Sequence, residues 1–173
     1  KKNNILTPKL YTYNFSKGVI VIEDFGNLSF YDILLKTKNK LTVYKKLVDL
    51  LLKIQKIKPK SKLRSIIKKP HVVKEYSTSI LHKESDLFFD WYLKFYAKKL
   101  NVGKIKKILK KELNKIFKKL YFKNNTFVHR DFHASNIIIN KKTFGLVDSQ
   151  DAIIGNPLYD VASLIDDVRI KLP

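Results

Sequence analysis

The sequence contains no cysteine, which removes any disulfide framework and any thiolate metal site. It has no methionine either, not even at its first position. A lysine in second position ordinarily leaves an initiator methionine in place, so Lys1 is not the expected native start. The chain stops at Lys171-Leu172-Pro173, just after a helical pattern. Together these features lead to the expectation of a fragment of a longer protein. Glycine is scarce: the five, at positions 18, 26, 103, 145 and 155, make neither a GxGxxG loop nor a GxxxxGK[ST] phosphate cradle. No apolar run approaches the roughly 18 residues of a membrane-spanning helix. The N-terminus KKNNILTPKL lacks the apolar stretch of a signal peptide, so the expected location is the cytoplasm. Arginine is scarce too. Arg64, Arg130 and Arg169 are the only three among 36 basic residues. A net charge of +21 invites a nucleic-acid or membrane reading, but base readout and bidentate phosphate binding favour arginine's planar fork. Lysine-rich solvated faces are the expectation, with no nucleic-acid or membrane partner.

What is present is ordinary for a globular domain, with 45% hydrophobic and 29% charged residues, enough apolar material for one core. Residues 10–17 form a short polar-aromatic lead-in. Gly18 introduces Val19-Ile20-Val21-Ile22, a β-branched run that reads as a buried strand. Ser29 with Asp32 three residues on resembles a helix start, leading into Phe30 to Leu35. Residues 41–57 read as an amphipathic helix and 59–70 as a basic loop. Ser79 to Leu100 reads as an aromatic-rich helix, with Gly103 as its C-terminal stop. Residues 104–122 carry an apolar stripe expected to be core, against a lysine-covered face. Thr126 to Val128 is a short strand, and Ile137 to Ile139 with Phe144 to Val147 form a hairpin around Asn140-Lys141-Lys142-Thr143. Pro157 opens a last helix running to about Ile170. The fold class is α+β, mostly helical with a small β-hairpin.

Chemistry concentrates in residues 127–151, FVHRDFHASNIIINKKTFGLVDSQD. Asp131 follows a hydrophobic strand, Asn136 lies five positions on, and the hairpin returns the chain to Asp148 at a strand end. A carboxylate to receive an acceptor hydroxyl, with an amide oxygen and a second carboxylate to hold magnesium on nucleotide phosphates, are the parts phosphoryl transfer needs. The bland alternative is a polar surface loop capped by turn-forming Asp and Asn.

This segment resembles the catalytic loop of the protein-kinase-like phosphotransferases. The residue two after the Asp is usually lysine in protein kinases and histidine in aminoglycoside phosphotransferases and related small-molecule kinases; here it is His133. VIVIEDFGNLSF looks like the hinge strand between two lobes, SILHKESDLFFDWYL like the helical segment before the catalytic loop, and VDSQDAIIGNPLYDVASLIDD like the metal-binding strand and following helix. LVDSQDAIIGNPLYDVASL and FFDWYL are most similar to the cell-wall sugar kinases that phosphorylate the anomeric hydroxyl of N-acetylmuramate and N-acetylglucosamine.

The resemblance implies a protein-kinase-like C-terminal lobe. Residues 1–27 would be the end of the N-terminal lobe and hinge strand, and residues 28–173 the helical lobe. It implies ATP and Mg²⁺ as cofactors and a small-molecule hydroxyl, that of an amino sugar, as acceptor. Asp131 would be the catalytic base, and Asn136 and Asp148 the metal ligands. Glu23, Asp24 and Phe25 would meet the adenine, while His129, Arg130, His133 and Asp160 would support the catalytic loop. Glu84, Trp91, Gln150 and Asp151 are acceptor candidates, although the aromatic neighbours of Trp91 favour a core position. Ser149 departs from the pattern, since the sugar kinases usually carry an aromatic there. The family's glycine loop and strand lysine with its helical Glu partner have no counterpart here, so weak ATP binding by this polypeptide alone is expected. An aminoglycoside, choline or homoserine-type kinase is the nearest alternative. A non-catalytic basic module for RNA or an acidic membrane is the alternative from another class.

Overall fold

The computed structural model describes residues 5–66, 69–97, 101–140 and 143–170. In chain order the elements are β1 (Leu10–Asn14), a 3₁₀ turn, β2 (Val19–Ile22), α1 (Phe30–Lys36), α2 (Lys40–Gln55), β3 (Lys62–Leu63) and β4 (His71–Val72). Next come α3 (Thr78–Leu87), a π-helical stretch (Phe88–Leu93), α4 (Lys94–Tyr96) and α5 (Val102–Phe117). Then follow β5 (Thr126–Val128), a 3₁₀ turn (Ala134–Asn136), β6 (Ile137–Asn140), β7 (Thr143–Leu146), β8 (Ile153–Gly155) and α6 (Leu158–Ile165). The strands pair antiparallel as β1–β2, β3–β4, β5–β8 and β6–β7, which is the mixed α+β class expected. Two compact units result, one of residues 1–74 with 125–173 and one of residues 75–124.

Local chemistry explains the starts of α1 and α2. Ser29 caps α1 with a full capping box: its Oγ accepts from Asp32 N at 3.2 Å, and Asp32 Oδ2 accepts from Ser29 N at 2.9 Å. Asn39 Oδ1 accepts from Thr42 N at 3.2 Å and starts α2, which turns Val43, Leu47, Leu50, Leu51 and Ile54 inward. The core of the first unit gathers these side chains with Phe30 and Leu34 of α1, Phe132, Ile137, Leu146 and Leu164. Full burial of one such aliphatic side chain contributes about 1.5–3 kcal/mol. Outside that core, α2 and α6 leave an apolar cavity of about 460 Å³ lined by Tyr44, Val48, Leu52, Val161 and Ile165 among others.

Several expectations are corrected. Val19–Ile22 is a strand, but every residue in it is exposed, Ile20 to 57%. A two-stranded hairpin with no layer over it among the described residues has nothing to bury against. The lead-in before it is strand β1. Gly103 does not stop a helix: it lies in the first turn of α5, whose cap is Asn101, accepting from Lys104 N at 3.0 Å. Position 100 lies outside the described residues, as do Lys141 and Lys142 of the predicted hairpin turn. The α5 stripe is not core: Phe117 is the buried residue of that helix, while Ile108 and Ile116 are more than half exposed. The last helix ends at Ile165, where Asp166 N closes back on Ala162 O at 2.8 Å. Acidic Asp166 and Asp167 follow, unfavourable charges at a helix C-terminus. Strand β8 had not been anticipated.

Candidate functional site

The loop from His129 to Asn136 is held at both ends. Strand β5 delivers it, paired to β8 through Phe127 with Ile154 and Val128 with Ile153. Asp160, 1% exposed in α6, reaches back to accept from His129 N at 2.8 Å and Arg130 N at 3.0 Å. Burial pushes the Asp160 carboxyl above its ordinary value, while the two N–H donors pull it back. The fully buried His129 sits with Nε2 3.0 Å from the Val147 carbonyl. A carbonyl only accepts, so Nε2 carries the hydrogen. Val147 also donates its N–H to Asn136 O at 3.1 Å. One residue therefore ties the start of the loop, the end of the loop and the approach to Asp148.

This clamp maintains two unusual backbone conformations. Arg130 has φ +75° and Asp148 φ +65°. Left-handed backbone is tolerable for Asp and costly for a long side chain such as Arg, and such strain persists only where surrounding contacts over-determine it. At Arg130 the over-determining contact is Asp160. Arg130 directly precedes Asp131, and Asp148 is itself one of the predicted ligands.

Inside the loop, Asn136 Nδ2 donates to the Asp131 carbonyl at 3.0 Å and lies 3.4 Å from His133 Nε2. The His133 N–H donates to Asp131 O at 3.0 Å. Burial, with the Arg169 charge second, holds the His133 ring below the ordinary histidine value. Asp131, His133 and Asn136 are half-buried, and Asp148 to Asp151 are exposed. A turn closed by Ala152 N to Ser149 O at 3.2 Å folds Gln150 back, so that its Nε2 donates to Asp148 Oδ1 at 2.7 Å.

The loop and β7 thus bring Asp131, Asn136 and Asp148 into one neighbourhood. The donor set suits a hard divalent cation, because Asn136 commits its Nδ2 to a carbonyl and retains its amide oxygen as acceptor. Asp148 meanwhile already takes a positively polarised N–H. Magnesium is typically held by one or two carboxylates plus phosphates and water. Among the described residues no group of three or more His, Asp or Glu gathers closely enough to hold a metal. Two protein ligands would need oxygens from a bound phosphate.

The remaining predicted residues fall elsewhere. Glu23 spends its N–H on Lys9 O at 2.8 Å and its carboxylate accepts from Lys9 N at 3.2 Å. Asp24 Oδ1 accepts from Gly26 N at 2.7 Å. Phe25 is buried against Gly145, where a Cβ would overlap its ring. Adenine contact from this segment would fall to backbone groups other than the Glu23 N–H. In the second unit, Glu84 accepts from the Tyr76 hydroxyl. Trp91 is 64% exposed in the π-helical stretch and stacks with Phe95 at 6.1 Å, so the core position its neighbours suggested is overturned. Sequence reasoning missed Val147 and β8. The β-branched pair Ile153-Ile154 was the available signal for the strand, whereas backbone groups such as those of Val147 leave none.

A family model described as the phosphotransferase enzyme family matches residues 31–173. Among curated proteins, the chain is 26% identical over 169 residues to a protein of Pseudomonas aeruginosa named N-acetylmuramate/N-acetylglucosamine kinase, covering 96% of this chain and 46% of that one. Proteins of the same name from Neisseria meningitidis and Pseudomonas putida are 26% and 22% identical over 171 and 170 residues. They cover 95% and 98% of this chain and 47% of each relative. The chain therefore spans about half the length of the curated relatives it matches.

Proposed function

The chain belongs to the phosphotransferase enzyme family, and from that premise we propose that it is the catalytic part of an ATP- and Mg²⁺-dependent kinase whose acceptor is an amino-sugar hydroxyl. One observation carries the reading. The Val147 N–H to Asn136 O bond sets Asn136 beside the residue preceding Asp148, while the Asn136 amide holds the carbonyl of Asp131. A base candidate and two oxygen ligands then share one clamped loop system. Asp131 orients the acceptor hydroxyl and receives its proton. In phosphoryl transfer most of the acceleration comes from positioning and charge stabilisation, which explains why so much of the loop is rigid backbone. Asn136 and Asp148 would hold Mg²⁺, which would supply charge neutralisation for the phosphate. His129, Arg130 and Asp160 act on the loop's shape, and His133 on Asn136. Residues 1–27 serve as the end of a preceding lobe and the hinge, and residues 28–173 as the helical lobe. The amino-sugar acceptor is supported by the names of the relatives.

The test is ATP consumption with Mg²⁺ by the polypeptide expressed over its whole genomic reading frame, offered N-acetylmuramate, N-acetylglucosamine, kanamycin and choline in turn. Amino-sugar phosphorylation that drops at least about 100-fold in Asp131→Asn is the expected result. Turnover of kanamycin or choline instead selects another acceptor class. No turnover of any acceptor, combined with steeply salt-dependent RNA binding that survives Asp131→Asn, would overturn the enzyme reading.

A further inference from the structure

We propose that Gln150 is a positioning residue for Asp148. Its side-chain amide grips one carboxylate oxygen and leaves the other for a divalent cation. This rests on the metal-binding reading of Asp148 and deepens it, and it separates Gln150 from the acceptor-binding residues with which sequence reasoning grouped it.

Three observations lead here. Asp148 is exposed and has left-handed backbone, so neither packing nor a regular strand fixes its side chain. An exposed carboxylate without packing partners has several rotamers open to it, and these must be frozen out before it can ligate. The Gln150 Nε2 to Asp148 Oδ1 bond at 2.7 Å supplies that restraint. Gln150 in turn is held by the Ser149–Ala152 turn, which leads directly into β8 and its pairing with β5. The restraint is therefore anchored to the strand that carries the catalytic loop. A neutral amide suits this task, because a lysine there would repel the cation and a glutamate would repel Asp148. Hydrogen-bond partners of metal-ligating carboxylates typically change metal affinity 10–100-fold when removed.

The experiment is a Mn²⁺ titration of the ¹⁵N-labelled polypeptide expressed over its whole genomic reading frame, in saturating ADP to supply the phosphate oxygens, following paramagnetic broadening of backbone signals, with Gln150→Ala and Gln150→Leu beside the unaltered protein. The unaltered chain is expected to lose the Asn136 and Asp148 signals first. Both variants should need about tenfold more Mn²⁺ to do so, with otherwise superimposable spectra. An unchanged midpoint in both variants overturns the role of Gln150 while leaving the metal site standing. Broadening of the unaltered chain that avoids Asn136 and Asp148 overturns the metal reading itself, and this proposal with it. A parallel titration with N-acetylglucosamine supplies the remaining arm. Sugar-induced shifts lost in the variants, at an unchanged Mn²⁺ midpoint, would return Gln150 to the acceptor site.

Discussion

Val19–Ile22 and Ile153–Gly155 both begin with β-branched residues, both are strands, and both pair antiparallel with one neighbour. The first is exposed along its whole length; the second is buried along its whole length. Composition does not separate them. What does is the company each strand keeps. β8 runs beside β5 and receives a further backbone bond, Ile154 N to Lys74 O at 2.9 Å, while β1 is exposed throughout. A strand's side chains contribute to stability only when something covers the face they occupy. The covered pair carries the loop of Asp131 and Asn136, and the uncovered pair leads into the Glu23–Phe25 segment.

The comparison can be pressed hardest through the clamp on the covered side. Asp160→Ala removes the acceptor for two backbone N–H groups in the buried start of the loop, and is expected to cost about 4 kcal/mol in denaturant unfolding. A loss under about 1 kcal/mol would mean that the loop does not depend on α6. Next comes a matched pair of truncations on the two strands. Ile153→Ala should cost about 3 kcal/mol, as cavity-forming core changes do, whereas Ile20→Ala should stay within about 0.5 kcal/mol. Equal losses would erase the contrast between the strands.

A smaller effect probes the join between the two regions. Gly145→Ala pushes a methyl into the Phe25 ring and is expected to destabilise by about 2 kcal/mol. Calorimetry of the double change with Phe25→Leu should recover at least half of that loss if the clash is the cause. The smallest effect is electrostatic. His133 is held below the ordinary value near 6.5 mainly by burial, so the unfolded chain takes up the proton first. Native stability from this group is present above that value and is lost as pH falls through the window below it. His133→Gln should flatten the fall of melting temperature that sets in as pH drops below about 6.5, and a profile identical to that of the unaltered protein would sink the assignment.

Much of this was legible beforehand because it is local. The Ser29 capping box, the hairpin carrying Phe144 and Gly145, and the spacing of Asp131 to Asn136 depend on residues a few positions apart. Short-range sterics and hydrogen bonds dictate such features wherever the segment sits. The misreadings share the opposite cause. Gly103 looked like a helix stop because glycine suits either end of the Asn101–Lys104 junction, and only the Asn101 cap decides which. Trp91 and the α5 stripe looked like core because apolar spacing records which residues share a face, not whether another element covers that face.

From the sequence alone came the α+β class, the loop bearing Asp131 and Asn136, the return to Asp148 and the kinship with small-molecule phosphotransferases. Each of these resides in residue type and short spacing. The tertiary structure decided that Asp160 of α6 grips the loop's backbone, that Val147 joins its two ends, that Gln150 turns back onto Asp148, and that Val19–Ile22 stays exposed. Those contacts span up to thirty-one positions and several run through backbone groups, which every residue possesses and no sequence pattern can single out.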